Sequence, residues 1–315
     1  MPADPHSGSV LRGKLRYHES MAGHVSWRAG GIAERVYVPA DLADLALILR
    51  ATDPGEPVHF VGLGSNLLVR DGGLSGLVIF THGIFSRVAI ELRSHNLPPA
   101  PEGDETRVVY AEAGVAAPKL ARFAASQGLV GAEFWAGIPG TVGGALAMNA
   151  GCYGQDTWGV TLQALTLDRM GQFNERRVED YVIDYRHVAL RAGNEEWFVG
   201  GWFRLPVGDP HAARMKIRDL LQRRIDTQPL KQPNCGSVFR NPPGAHAARI
   251  IEDSGLKGLR VGGAQVSEKH ANFIVNLGDA TASDIEALIE KVEDTVEART
   301  NIRLVREVRI IGDRP

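Results

Sequence analysis

The strongest periodic pattern lies near the C-terminus. Ile285, Leu288, Ile289, Val292 and Val296 recur at helical spacing and give one apolar face. Thr281 with Asp284, or Ser283 with Glu286, supplies the N-terminal cap. A second helix is predicted after Asp41, with Leu42, Leu45, Ala46 and Leu49 on one side. A third starts near Pro118, runs to Gln127 and stops at Gly128. A fourth covers about 211–227 and ends before Pro229 and Pro233, and AARIIEDSG is a short fifth closed by glycine. Between them, short β-branched and aromatic runs predict strands. These are 33–39, 57–62, LLVRDGG, LSGLVIF, 107–114, VTLQALTLD, DYVIDYR, EWFVGGWFRL, GSVFRNP (236–242), 271–276 and IRLVREVRII (302–311).

Mixed helices and strands in this order predict an α+β protein in consecutive units. Residues 15–85 form the first and 86–208 the second. Residues 209–300 form the third, and 301–315 a closing strand. The first dozen residues read as a disordered lead-in. The charged, proline-rich stretch 94–106 reads as an exposed loop. No internal repeat or coiled coil is visible.

Composition narrows the class. The chain has 315 residues, 44% of them hydrophobic, enough for two or three cores. A net charge of −2 carries no basic surplus for nucleic acid and no acidic tail. Two cysteines, Cys152 and Cys235, lack metal-ligand spacing and cannot build a disulfide framework, so a reducing compartment is expected. The first residues lack the apolar stretch of a signal peptide. The least polar segment, 128–151, holds Glu133, Pro139 and several glycines, which disfavours a membrane span. Neither H-E-x-x-H nor G-x-S-x-G occurs, which disfavours zinc and serine hydrolase chemistry, and no metal is expected.

The candidate chemistry sits in two glycine-rich loops. In VGLGSNLLVRDGG (61–73) a strand delivers Gly62 and Gly64, followed by Ser65, Asn66 and Leu67. Glycine lets backbone N–H groups approach a phosphate. Leu67 stands where a Rossmann loop needs its third glycine, and strand residues follow, so that fold is disfavoured. A polar hairpin turn is the plain alternative. The second loop, WAGIPGTVGGALAMNAGCYG (135–154), mixes six glycines with small apolar residues. It is too apolar for a linker and suits backbone packed against a large flat group. Tight packing between elements is the alternative. Two such loops suggest one extended dinucleotide, and FAD has that shape.

These motifs, with SWRAGGIAE (26–34), YR (185–186), GSVFRNP and the final REV (306–308), resemble the UDP-N-acetylenolpyruvoylglucosamine reductase family over most of the chain. The resemblance implies a two-subdomain FAD-binding fold of the vanillyl-alcohol-oxidase type plus a C-terminal α+β substrate-binding domain. It implies a cytoplasmic enzyme of peptidoglycan synthesis, a monomer or weak homo-oligomer. FAD is bound non-covalently and NADPH is the co-substrate. The substrate is UDP-N-acetylglucosamine enolpyruvate. Arg186, Ser237 and Glu307 take the catalytic positions. Cofactor contacts fall on Gly62, Gly64, Ser65, Asn66, Leu67, Gly137, Ile138, Pro139, Thr141, Gly143, Gly144, Ala145, Asn149, Ala150, Gly151 and Val199. Substrate contacts fall on Tyr185, Asn241 and His270. Val188 stands where the family often has serine. The segment between Arg204 and Arg218 has no room for the tyrosine-bearing insertion of longer members, so this is the shorter form.

The reaction explains the residue types. Hydride addition to the enolpyruvyl double bond leaves charge that spreads into the carboxylate, and a guanidinium can grip it. A fixed hydroxyl can then protonate the neighbouring carbon. A carboxylate beside an enolate would repel it, so Glu307 is expected to be protonated or to share a proton in the complex. Unaided by the resemblance, Arg186 reads as a surface strand residue, Ser237 as a turn former and Glu307 as half of a surface ion pair. Two rivals remain. One is another flavoenzyme of the same fold, acting on a sugar or alcohol. The other is a non-catalytic nucleotide-binding module.

Overall fold

The computed structural model describes residues 10–91, 103 and 105–315. Most of the lead-in and most of the 94–106 insert therefore lie outside the described residues. The chain divides into two compact units, each built from separate stretches. The described residues of the first fall within 1–15, 37–62 and 77–221; the second comprises 16–36, 63–76 and 222–315.

A four-stranded sheet runs in the order Lys14–Ser20, Ile32–Val38, Leu74–Phe80, Val58–Val61. Three of these strands pass from one unit into the other along the chain. Within the first unit, Val58–Val61 pairs in parallel with Leu77–Phe80. Helix α1 (Leu42–Ala51) is started by Asp41, whose carboxylate accepts the Asp44 N–H at 2.9 Å. Its buried Leu45, Ala46 and Leu49 join Tyr37, Leu77, Ile79 and Val199 in one core.

The larger sheet of the first unit is antiparallel throughout. Its order is Phe173–Arg177, Thr161–Asp168, Glu196–Pro206, Thr106–Glu112, Val88–Glu91. Helix α2 (Ala117–Ser126) carries Pro118 in its first turn and is followed by Gly128 at φ 70°. Helix α3 (Val142–Ala147) lies inside the second glycine-rich segment. Strands Tyr181–Asp184 and His187–Leu190 form a hairpin. Helix α4 (Pro210–Thr227) buries little beyond Ala213 and Ile217.

In the second unit, helices α5 (Ala247–Asp253) and α6 (Ala282–Thr300) pack with a small sheet ending in Ile274–Asn276. Ile285, Leu288, Ile289, Val292 and Val296 are all buried there. Thr281 and Asp284 make the reciprocal capping box, so of the two predicted caps this is the one formed. Ile311 closes a parallel pair in which Arg309–Ile311 lies along Leu67–Val69.

Strands not predicted from the sequence include Lys14–Ser20, Val88–Glu91, Phe173–Arg177 and His187–Leu190. The first and third are polar and largely exposed, so no apolar alternation marks them. Three expectations need correction. Only the last three residues of 302–311 are strand. GSVFRNP is not a strand but an isolated bridge, Phe239 to Arg306. The physical reason is shared: the N–H groups of Glu307 and Val308 converge on one carbonyl, Val238, at 2.7 and 3.4 Å. Two consecutive donors on one acceptor break the alternation a ladder requires. Third, the second glycine-rich segment is not one loop; it contains a turn of 3₁₀ helix (Glu133–Gly137) and α3.

Candidate functional site

The first glycine loop changes unit between Gly62 and Leu63. Gly62 stays in the first unit, where any Cβ would strike the Thr141 side chain. Gly64 sits at φ 58°, and a Cβ there would lie 2.2 Å from the His24 carbonyl oxygen, so both conformation and space demand glycine. The turn is tied down through its carbonyls. Gly64 O accepts from Ser26 N at 3.1 Å, and the buried Cys235 thiol lies 3.7 Å from Gly64 O and 3.6 Å from Leu67 O. Its donors are left over. Among the described residues, the N–H groups of Leu63, Gly64, Ser65 and Asn66 donate to no protein acceptor, and the Ser65 hydroxyl has no protein partner. Four successive N–H groups around a left-handed glycine form an anion-binding nest. The loop therefore fits a pyrophosphate. The Asn66 amide points elsewhere, donating to the Glu307 carbonyl at 3.1 Å.

The second segment belongs wholly to the first unit. Ile138 closes the 3₁₀ turn by donating to Trp135 O at 3.1 Å, and Pro139 is exposed. Thr141 is buried and accepts the Gly144 N–H at 3.4 Å, which caps α3. Gly143 donates to Ala113 O at 2.9 Å, and Ala113 donates to Val199 O at 2.9 Å. A Cβ at Gly143 would lie 2.8 Å from that of Ala113, so the helix packs on the strand at backbone distance. Gly137 is closed in the same way by Cys152 and Tyr153. Gly144 is exposed and Ala145 buried, so α3 leaves only one bare face. The tight-packing reading thus holds for Gly137 and Gly143.

Arg186 occupies the two-residue turn of the hairpin, at φ 55°. It is not the surface strand residue that its sequence context suggests. A left-handed arginine costs about 1–2 kcal/mol, so its surroundings must hold it. Its guanidinium donates to Asn149 O at 3.1 Å and to Gly151 O at 2.7 Å, and lies 5.0 Å over the Tyr185 ring. Carbonyl dipoles orient the cation without cancelling its charge. Asn149 is itself left-handed at φ 40° and 5% exposed. Its side chain accepts from Trp158 N at 3.1 Å and donates to Asp184 O at 3.3 Å. Ala150 donates to Ala145 O at 2.9 Å. Tyr185 is 46% exposed.

The remaining residues lie in the second unit. Ser237 is half-buried, and its hydroxyl has no protein partner among the described residues. Gly236 before it takes φ 77°, with its N–H on Asn234 Oδ1 at 3.0 Å. Val238 after it gives its carbonyl to the Glu307 N–H at 2.7 Å. Asn66, Ser237 and Glu307 are thereby linked through two hydrogen bonds, Asn66 Nδ2 to Glu307 O and Glu307 N to Val238 O. Asn241 is exposed, and its Oδ1 accepts the Ala247 N–H at 3.0 Å at the start of α5. His270 packs edge-on to Phe273 at 4.6 Å. Burial holds its pKa below the ordinary value, and its Nδ1 accepts the Asn272 N–H at 3.3 Å, as a neutral ring can. Sequence reasoning missed Asn272, which is 3% exposed and brackets Phe239. Its only sequence signal is a polar residue inside the apolar run ANFIVN.

A nest of free amides on a glycine turn is what a phosphate-bearing cofactor such as FAD requires of its protein. Residues 33–167 accordingly match the family model of an FAD binding domain. Residues 228–311 match that of the UDP-N-acetylenolpyruvoylglucosamine reductase C-terminal domain. The chain is 66% identical to the UDP-N-acetylenolpyruvoylglucosamine reductase of Thiobacillus denitrificans, covering 97% of this chain and 94% of that one. It is 52% identical to that of Nitrosospira multiformis, covering 96% and 90%. The crystal structure of the enzyme from Thermus caldophilus superposes with a TM-score of 0.76 at 29% identity, covering 96% of this chain and 99% of that one. The chain belongs to the UDP-N-acetylenolpyruvoylglucosamine reductase family. No described helix is long and apolar enough to cross a membrane.

Proposed function

We infer that this protein catalyses the NADPH-dependent, FAD-mediated reduction of UDP-N-acetylglucosamine enolpyruvate to UDP-N-acetylmuramate, a step of peptidoglycan synthesis in the cytoplasm. The observation that carries the reading is the row of undonated N–H groups from Leu63 to Asn66, in a chain with 66% identity to a named reductase. Segments 15–85 and 86–208 act as the two FAD-binding subdomains, and 209–300 as the substrate domain. Residue 301 onward brings in Glu307. The nest would hold the pyrophosphate, and residues from Gly137 to Gly151, with Val199, would hold the ring system.

FAD, when bound, supplies the hydride that NADPH delivers to it. The chain's own residues do the rest. Arg186 balances the negative charge that develops when hydride reaches one carbon of the enolpyruvyl bond. Its turn and its two carbonyl partners fix the guanidinium beforehand, so little reorganisation is needed. Ser237 gives its proton to the neighbouring carbon and recovers one from solvent. Its hydroxyl is uncommitted to protein, which leaves it able to donate. Glu307 completes the catalytic set beside the enolate. Tyr185, Asn241 and His270 bind the substrate. A neutral His270 suits a hydrogen bond better than an ion pair.

The purified protein should be yellow. NADPH should bleach it, and the enolpyruvyl sugar should restore the colour. A colourless protein that takes up no flavin would end the reading. Flavin that survives acid precipitation would favour a covalent oxidase. Ser237→Ala should bleach normally with NADPH and recover colour slowly. Normal recovery would remove Ser237 as the proton donor.

A further inference from the structure

We propose that Asn272 is a positioning residue for Ser237. The proposal rests on Ser237 being the proton donor. Three hydrogen bonds join this one residue to the two that follow Ser237. Its carbonyl accepts the Val238 N–H at 2.9 Å. Its side chain accepts the Phe239 N–H at 3.0 Å and donates to the Phe239 carbonyl at 2.8 Å. The carboxamide thus stands in for a backbone peptide opposite Phe239, where no regular strand runs.

The need for such a device follows from the local chain. Ser237 follows a left-handed glycine and has no side-chain partner among the described residues. Its position is set by what holds Val238 and Phe239. Val238 is held on one side by Asn272 and on the other by the Glu307 N–H. Asn272 therefore fixes the peptide to which both Ser237 and Glu307 are tied. Asn272 is 3% exposed and Phe239 2%, so neither bond can be replaced by bulk water. The Asn272 N–H in turn donates to His270 Nδ1 at 3.3 Å, which orients the residue itself. An ordinary core asparagine would affect folding alone. This one acts on a single chemical step, because proton transfer is sensitive to displacements of an ångström or less.

The test uses the FAD-loaded enzyme and rapid mixing. Asn272→Ala should keep its flavin and be reduced by NADPH within about twofold of the native rate. Recovery of colour with the enolpyruvyl sugar should slow by about 10- to 100-fold. The solvent deuterium isotope effect on that recovery should rise. If Asn272→Ala does not accumulate as a yellow protein, Asn272→Asp, close in shape and still able to accept from Phe239, is read in the same way. In a Ser237→Ala background the substitution should cost nothing further, since the group it positions is gone. Equal slowing of both half-reactions, or full multiplication of the two effects in the double variant, would overturn the proposal. Normal recovery in Ser237→Ala alone would instead sink the proton-donor reading on which it rests. Slow recovery in Ser237→Ala with normal recovery in Asn272→Ala would sink the positioning role alone.

Discussion

The Asn66 side chain donates to the backbone carbonyl of Glu307 at 3.1 Å, joining residues 241 apart in sequence. The next backbone link is as direct: Arg309 N donates to Asn66 O at 3.0 Å. Asn66 therefore connects the pyrophosphate nest to the segment that carries the carboxyl. The family resemblance implies that Asn66 contacts the cofactor. Its backbone N–H remains available for that contact, while its side chain works on the protein.

Asn66→Asp removes the donor and keeps the shape. A part-buried hydrogen bond contributes about 1 kcal/mol, and each 1.4 kcal/mol is tenfold. We expect colour recovery with the enolpyruvyl sugar to slow about five- to tenfold and flavin reduction by NADPH to change less than twofold. Stopped-flow absorbance separates the two. A selective loss of flavin affinity with unchanged recovery would show that the amide serves the cofactor alone.

Local signals were legible and long-range ones were not. The cap Thr281–Asp284, the stop at Gly128 and the apolar face of α6 each depend on residues within one or two turns, and each formed as read. The glycine loops stood out for the same reason: Gly64 needs its φ and its space whatever follows. Lys14–Ser20 did not stand out, because its side chains are mostly exposed and carry no alternation. The 302–311 run looked like one strand because β-branched residues fill it, yet Val238 draws two of its N–H groups to one carbonyl. Asn272 showed only as a polar residue in an apolar run, which does not reveal its role. Its partner, Phe239, lies 33 residues away, and a carboxamide acting as a peptide leaves no spacing to detect.

Asn149 holds Arg186 directly through one hydrogen bond and braces the surrounding chain through two more. Its carbonyl takes the guanidinium, and its side chain bridges Trp158 N to Asp184 O at the end of the hairpin strand. Asn149→Ala loses both side-chain bonds and, glycine apart, a residue type well suited to φ 40°. Colour recovery with the sugar should fall by about tenfold or more, with a raised KM for the sugar and little change in the KM for NADPH. Asn149→Gly restores the backbone freedom and should recover part of the stability but not the rate. A variant whose two KM values rise together would argue that the residue acts through the cofactor.

Cys235 reports on the first glycine loop. Burial pushes its thiol up to about 12, and it leans on Gly64 O and Leu67 O. It should not react with a thiol reagent at neutral pH until that loop opens. FAD bound to the nest should close the loop further, by mass action on the folded form. The flavin-free protein is therefore expected to label at Cys235 faster than the holoenzyme, and excess FAD should slow it again. Peptide mapping distinguishes it from the half-buried Cys152. Equal labelling rates with and without flavin would disconnect the nest from this thiol.

The end of the chain is fastened by charge, and that fastening should titrate. Arg70 meets the Glu286 carboxylate with Nε and Nη2 at 2.8 and 2.9 Å, while its Nη1 donates to the Gly312 carbonyl at 3.0 Å. Arg314 adds a longer contact of 3.2 Å from a largely exposed side chain, which screening weakens. The Arg70 hydrogen bonds hold the Glu286 pKa below its ordinary value, against the opposing effect of burial. A carboxyl lowered in the folded state stabilises it above the unfolded value of about 4.3, and that stabilisation disappears as pH falls through the lower folded value. Glu286→Gln should therefore lower Tm at pH 7 by on the order of 3 °C. The gap between variant and native protein should close as the pH drops below about 4. Thermal unfolding followed by circular dichroism from pH 3 to 8 measures both. A gap that stayed constant across that range would mean that Glu286 stabilises the fold by packing and neutral hydrogen bonding, with no contribution from its charge.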